Sequence, residues 1–594
     1  MKRSQQSTGL GRRPFLGLTG GTVLGLLAGS AVASDDSAAT GGLAGIGDVT
    51  LEQIGRYESN IFDEGGAEII DYHPQTQRLF VINANLGGVD VLDITDPTTP
   101  EKVGEIDATG GVEGVSSANS VVTSADAIAV ALEADVAQDP GQIGFYDPET
   151  LELLGTATVG PLPDKVTFTP DGTRVLVANE AEPTSNYAYD PRGSVSIVDI
   201  SDGADDPTVS TAGFTAFDGM EAELRSRGIR IFGPGASASQ DFEPEYVTIS
   251  DDSTTAWVSL QENNAIAEID IEDAEVTNLL PLGFKDHSLD GNELDASNED
   301  GGVNVRNWPV YGILQPDAIG TYSPDGEQYI VTANEGDSRD YDSFSEEVEV
   351  SDLRLDPEAF DFDDIEGVDS VEELQQPENL GAKNATTTLG DVDGDGLYEE
   401  LYVFGGRSFS IFTADGELVF DSGDDFEEIT AERFGDDFNN DNTENTPDSR
   451  SDNKGPEPEG LALGQVGERF YAFIGLERVG GVMTYDITDP ESATFVDYVN
   501  NRDFSYDIQG NIANGDAPAG AAGDLGPEGL AYASVAESPI DDPLVFVGHE
   551  ISGTTAIFRV KSEDTDDPRR DEPDPAPGNG RGPGEHGPRN GRSP

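Results

Sequence analysis

The chain has 594 residues, of which 117 are acidic and 32 basic, giving a formal net charge of -85 and an isoelectric point near 4.1. That balance argues against nucleic acid and anionic membrane surfaces as partners, because phosphate groups are bound by clustered Lys and Arg. It fits a hypersaline habitat, where the Debye length falls to about 3 Å at molar salt and self-repulsion is relieved. The absence of cysteine excludes disulfides, thiolate chemistry and cysteine-based metal sites, while 36% hydrophobic residues, 71 Gly and 35 Pro describe a turn-rich β protein.

The N-terminus reads "GRRPFLGLTGGTVLGLLAGSAVAS". Arg12 and Arg13 precede an apolar, glycine-rich run ending in the small-residue motif Ala31-Val32-Ala33, the pattern of a twin-arginine export signal over residues 1–33. This predicts a secreted, extracellular chain that folds before crossing and enters the globular region through a flexible linker, residues 34–48.

From there the sequence repeats itself. Eight related units begin near "AEIIDYHP", "EGVSSANSVV", "PDKVTFTPDG", "EPEYVTISDD", "PDAIGTYSPDG", "ATTTLGDVDGDG", "EPEGLALGQV" and "GPEGLAYASV". In the unit at Glu243 the order is "EYVTIS", a turn, "TTAWVSLQE", then "AIAEIDI" and "VTNLLPL". Four short β-branched strands per unit are the blade of a β-propeller. The fold class is therefore all-β: a single propeller of seven or eight four-stranded blades over residues 49–561, with acidic loop insertions at Ser343 to Gly381 and Asp424 to Gly455. A pair of β-sandwiches competes, but similarity between the units favours the propeller. "LEQIGRYES", Leu51 to Ser59, can supply the outermost strand of the last blade and close the ring. The segment 562–594, rich in Pro and Gly and without an apolar span, predicts a disordered tail, no membrane anchor and a freely released monomer.

Acids recur at one register of the repeat. Glu68, Asp164, Glu245, Asp317, Glu459 and Glu528 open first strands, and Glu133, Glu180, Glu262, Glu335, Glu477 and Glu550 close second strands. First and second strands run antiparallel, so both sets belong at one mouth of the channel. Like charges held so close raise one another's pKa or bind cations, and oxygen ligands suit calcium, or another hard divalent metal. The alternative is a set of turn acids that cap backbone N–H groups. A local signal is "DVDGDGLYEE", where Asp391, Asp393, Asp395 and Glu399 have the spacing of a calcium loop, with Tyr402 at the twelfth position where an EF-hand has Glu.

Bases are scarce enough for their positions to matter. Lys165, Lys454, Lys285, Arg339, Arg407 and Arg478 share or neighbour the repeat register, and cations among metal-bound carboxylates are what a phosphate or carboxylate ligand requires. His549 beside Glu550 is a candidate acid or base, whereas His73, His287 and His586 form no zinc pattern.

"LQPDAIGTYSPDGEQYIVTANEGDSRDY", "GDVDGDGLYEELYVFGGRSFSIF", "ELVFDSGDDFEEITAERF", "DNKGPEPEGLAL" and "LGPEGLAYASVAESP" together resemble the secreted β-propeller ectodomains of the choice-of-anchor I family. The similarity runs from about Val49 to Val560. Members of that family are described as similar to alkaline phosphatases and to phytase- or esterase-like propellers, and the resemblance brings no catalytic residue set with it. Two readings stay open. One is a calcium-dependent phosphomonoesterase in which metals at the mouth polarise a phosphorylated small molecule while His549, Lys165, Arg339, Arg407 and Arg478 assist. The other is a non-catalytic extracellular module, stabilised by calcium, that meets a cell-envelope component. Bases already paired to acids would favour the second.

Overall fold

The computed structural model describes residues 49–562, so the expected export signal, the linker and residues 563–594 lie outside the described residues. Its strands carry two burial patterns that explain the architecture. Second strands such as Ile128–Ala134 (IAVALEA) are buried along their whole length, whereas fourth strands such as Thr208–Gly213 are exposed at nearly every position. A strand covered on both faces reads as a continuous apolar run, and one at a sheet's outer edge does not.

The strands form seven four-stranded antiparallel sheets among the described residues. Each sheet is a blade, and the inner strands begin blades 1 to 7 at Ile70–His73, Val115–Thr123, Pro163–Phe168, Pro244–Ile249, Ile319–Tyr322, Pro458–Val466 and Pro527–Ala533. Each inner strand packs against the next, and the seventh returns to the first. Separate apolar clusters fill the gaps between blades, for example Leu176, Val195, Val247 and Val258 between blades 3 and 4, and Leu79, Val81, Phe546 and Ile557 between blades 7 and 1. The ring is therefore closed by packing around its whole circumference. Its hydrogen-bonded closure is Val49–Glu58, which pairs antiparallel with Thr554–Ser562 and completes blade 7, as "LEQIGRYES" anticipates.

Seven blades settle the count left open by the sequence. The unit at "ATTTLGDVDGDG" is not a blade: it lies in an insertion between the second strand (Tyr329–Asn334) and third strand (Ser408–Thr413) of blade 5. The third strand of the unit that begins at "PDAIGTYSPDG" comes after that insertion. This insertion is acidic outside but, contrary to its apolar-poor appearance, joins residues 294–310 in a core of its own that includes Trp308, Leu353, Leu374, Leu380 and Leu401. The second insertion carries the helix Asp425–Phe434, with Asp425, Glu427 and Glu428 at its N-terminal end and Arg433 near its C-terminal end, matching the helix dipole. Buried Lys383 of the first insertion donates to Ser451 O at 3.2 Å in the second.

Candidate functional site

The recurrent acids are placed by a recurrent backbone device. In blades 3, 4, 6 and 7 the inner strand starts with Pro and then bulges, so that two residues oppose one on the second strand: Asp164-Lys165, Glu245-Tyr246, Glu459-Gly460 and Glu528-Gly529. Proline needs no ladder partner for its nitrogen at a strand's first position, and a bulge re-aims the side chain that follows. The glycine of "PEG" has a separate cause. A Cβ on Gly460 would stand 2.0 Å from Glu528 O, and one on Gly529 would stand 2.6 Å from Glu68 O. Only glycine lets the neighbouring inner strand come so close.

The bulges bring the acids together by a simple rule. Carboxylate oxygens of Glu528, Glu550 and Glu68 lie within 4.8 Å of one another, as do those of Asp317, Glu335 and Glu459. Each group takes the opening acid of one blade, its closing acid, and the opening acid of the next. A third group, Glu335, Glu457 and Glu477, overlaps the second. It contains its own cations: Lys454 Nζ is 3.0 Å from Glu335 and 3.1 Å from Glu457, Arg478 is 3.2 Å from both Glu457 and Glu477, and Arg450 also pairs with Glu457. Burial opposes ionisation of Glu457, but Arg450, Arg478 and Lys454 together hold its carboxyl well below the usual range.

Around blades 2 to 4 the mouth acids Glu133, Glu180 and Glu262 are protonation-prone. Burial pushes the Glu133 and Glu262 carboxyls up to about 7, with Glu182 adding to the first and Arg339 opposing the second. Glu180 is raised by burial and by Glu182 and Asp164, while Glu245 is buried beside them on blade 4. A hairpin of the blade 5 insertion, Asp340–Tyr341 with Phe344–Ser345, reaches over this side. There Tyr341 Oη donates to Glu182 at 3.0 Å and Ser343 N to Ser185 O at 3.2 Å.

The sequence model of the choice-of-anchor I domain matches residues 68–490, from the first mouth acid into blade 6. The chain belongs to that family. Gigasin-3a of Magallana gigas is 31% identical over 201 residues, which cover 33% of this chain and 69% of that protein. The mesenchyme-specific cell surface glycoprotein of Strongylocentrotus purpuratus is 31% identical over 355 residues, 54% of this chain, and the match spans only 44% of that protein's length. Among solved structures, Kuenenia stuttgartiensis hydrazine synthase aligns over 83% of this chain and 96% of its own at 12% identity and a TM-score of 0.42. A chain of a mitotic checkpoint complex aligns over 89% and 100% at 10% identity and 0.41. Likeness at that level carries no argument about function.

In this choice-of-anchor I propeller the arginines expected to face a ligand are already engaged. Arg339 is buried on Asp241 at 2.9 Å and Glu243 at 3.1 Å, with the Phe232 ring beneath it. Arg407 pairs with Glu427 and donates to Ser451 O and Asn453 O at 2.7 and 2.8 Å. Lys285 lies 3.1 Å from Asp421. Lys165 instead lays its ammonium on the Tyr246 ring, 4.3 Å from the centroid, inside the channel. His549 does not join Glu550: Glu550 lies in the turn after the second strand of blade 7, and His549 is that strand's last residue. Its Nδ1 is 3.3 Å from Thr554 O, and it lines a cavity of about 110 Å³ with Asp524 and Asn501 between blades 6 and 7.

The loop Asp391, Asp393 and Asp395 is assembled as its spacing predicts, with carboxylate oxygens within 4.8 Å, but it stands in the blade 5 insertion, apart from the recurrent mouth acids. Asp391 accepts from Gly394 N and Gly396 N at 2.9 and 3.1 Å, and Glu399 accepts from Val392 N at 2.8 Å. Its oxygen-only donor set fits a hard divalent cation, as does that of Glu68, Glu528 and Glu550. Sequence reasoning missed Glu457, Asp71 and Tyr246. Glu457 was signalled by three bases close by in sequence or register, Arg450, Lys454 and Arg478; Asp71 and Tyr246 carry no motif and are joined to Lys165 only by the ring.

Proposed function

We propose that this choice-of-anchor I propeller is a non-catalytic extracellular or cell-surface module, exported by the twin-arginine route, whose mouth and insertion loop bind calcium. The observation that carries the reading is the engagement of Arg339, Arg407 and Arg478 in buried or half-buried ion pairs. A phosphoryl group needs donors aimed at where its charge develops, and these guanidiniums face the protein's own carboxylates. The family assignment and the cell surface glycoprotein among the relatives support a location outside the cell. Calcium's part is mechanical: it draws carboxylates of adjacent blades together and stabilises the folded state by mass action. The acidic surface and insertions are then the face offered to an envelope component.

The test compares the mature chain with a Glu459→Gln, Glu528→Gln variant at molar salt, before and after chelation. Calcium should raise the melting temperature of the first more than of the second, with no hydrolysis of a generic phosphomonoester by either. Calcium-dependent turnover that the variant loses would overturn the module reading in favour of a phosphomonoesterase. No melting response to calcium in either protein would return the acids to a turn-capping role.

A further inference from the structure

The channel below the mouth holds a cavity of about 270 Å³, lined by the inner strands of six of the seven blades. Aliphatic side chains of Ile70, Val121, Leu463 and Leu530 contribute to its wall beside polar surface from Asp71, Lys165 and Thr167. Two opposite charges break that wall, Lys165 from blade 3 and Asp71 from blade 1. Each is held in place by a different neighbour. The ammonium of Lys165 rests on the Tyr246 ring of blade 4, and Asp71 Oδ2 accepts Thr123 N of blade 2 at 2.6 Å. Blade geometry therefore presents a cation and an acid to one small space that also carries aliphatic side chains, and convergent polar groups of this kind fix a ligand's orientation.

We propose that this cavity binds a small amphiphilic carboxylate, with its carboxylate on Lys165, and that an apolar α-amino acid is the best-fitting member of the class because Asp71 meets its ammonium. Ligand pockets usually run from about 300 to 1,000 Å³, so this space takes a ligand of amino-acid size and little more. A zwitterion leaves no net charge in a low-dielectric site, whereas a phosphate dianion on a single ammonium would leave one charge uncompensated. Burial pushes the Asp71 carboxyl up while Thr123, Tyr72 and the Lys165 ammonium draw it back, and a ligand ammonium would add to them. The site is independent of calcium at the mouth.

Isothermal titration calorimetry at molar salt tests this with four probes: L-valine, its desamino analogue isovalerate, isobutylamine and inorganic phosphate. Saturable binding of valine is expected, with isovalerate about tenfold weaker and the other two silent. Lys165→Met should abolish binding of both carboxylates while still melting cooperatively, and Asp71→Asn should erase valine's advantage over isovalerate. No saturable heat from either carboxylate, unchanged valine affinity in Lys165→Met, or phosphate binding as tightly as valine would overturn the assignment. If Lys165→Met does not fold, the valine-to-isovalerate ratio in Asp71→Asn decides: a ratio near one supports the site and an unchanged ratio overturns it.

Discussion

Lys454 Nζ lies 3.0 Å from Glu335 Oε1 and so ties the lead-in of blade 6 to the end of the second strand of blade 5. Its second carboxylate, Glu457 at 3.1 Å, is buried with a left-handed backbone, φ 53°, just before Pro458. A lysine here does what we propose a divalent cation does between other blades. Removing one member of a buried pair leaves the other uncompensated, so Lys454→Met should cost about 3 kcal/mol, the low end of the usual range because Arg450 and Arg478 remain. Urea unfolding at constant salt measures the loss. Added calcium should restore more stability to this variant than to the parent chain.

Glu133 sets a pH dependence of defined sign. Its ordinary value is 4.5 and burial, with Glu182, pushes it up to about 7, so the folded chain keeps a proton that the unfolded chain releases. The stability from this group is full below pH 4.5 and is lost as pH rises to about 7, a difference of about 3 kcal/mol. In chelator, Glu133→Gln should melt with the parent chain at pH 4 and above it at pH 8. Parallel melting curves across that span would refute the assignment.

Gly460→Ala tests the close approach of inner strands. Its Cβ would fall 2.0 Å from Glu528 O, and although the Leu530 side chain, 2.5 Å away, can yield, the Glu528 backbone cannot. The strain of overpacking exceeds the roughly 1–3 kcal/mol seen in ordinary cores, so the variant should be recovered mostly unfolded or with a sharply lowered melting temperature.

Asp393→Asn addresses the insertion loop separately. Asp393 is exposed and caps Asp395 N at 3.1 Å, a bond the amide retains. Calcium titration should lose one class of site, and calcium should still raise the melting temperature through the mouth acids.

What the sequence made legible follows from periodicity. The four strands at Glu243 fall where "EYVTIS", "TTAWVSLQE", "AIAEIDI" and "VTNLLPL" place them, because β-branched apolar runs and the polar turns between them are local signals. The recurrence of the acids was legible for the same reason. Their sorting was not: whether Glu335 meets a metal or Lys454 depends on a residue 119 positions away. The arginines misled because register says which end of a blade a residue occupies and nothing about which carboxylate reaches it first. His549 and Glu550 adjoin in sequence, yet His549 ends the strand and lines the cavity between blades 6 and 7 while Glu550 lies in the turn beyond it.

The strand that closes blade 7 has a mechanical consequence. Val49 pairs with Ser562, so the two ends of the described chain leave the ring side by side. A load pulling them apart would open that antiparallel ladder pair by pair from its free end, as a zipper opens, rather than shear all its hydrogen bonds at once. A load applied through either end alone bypasses the ladder's weak direction. Tethered at one end, the propeller is a durable ring; held at both, it becomes a release that gives way at its first rung.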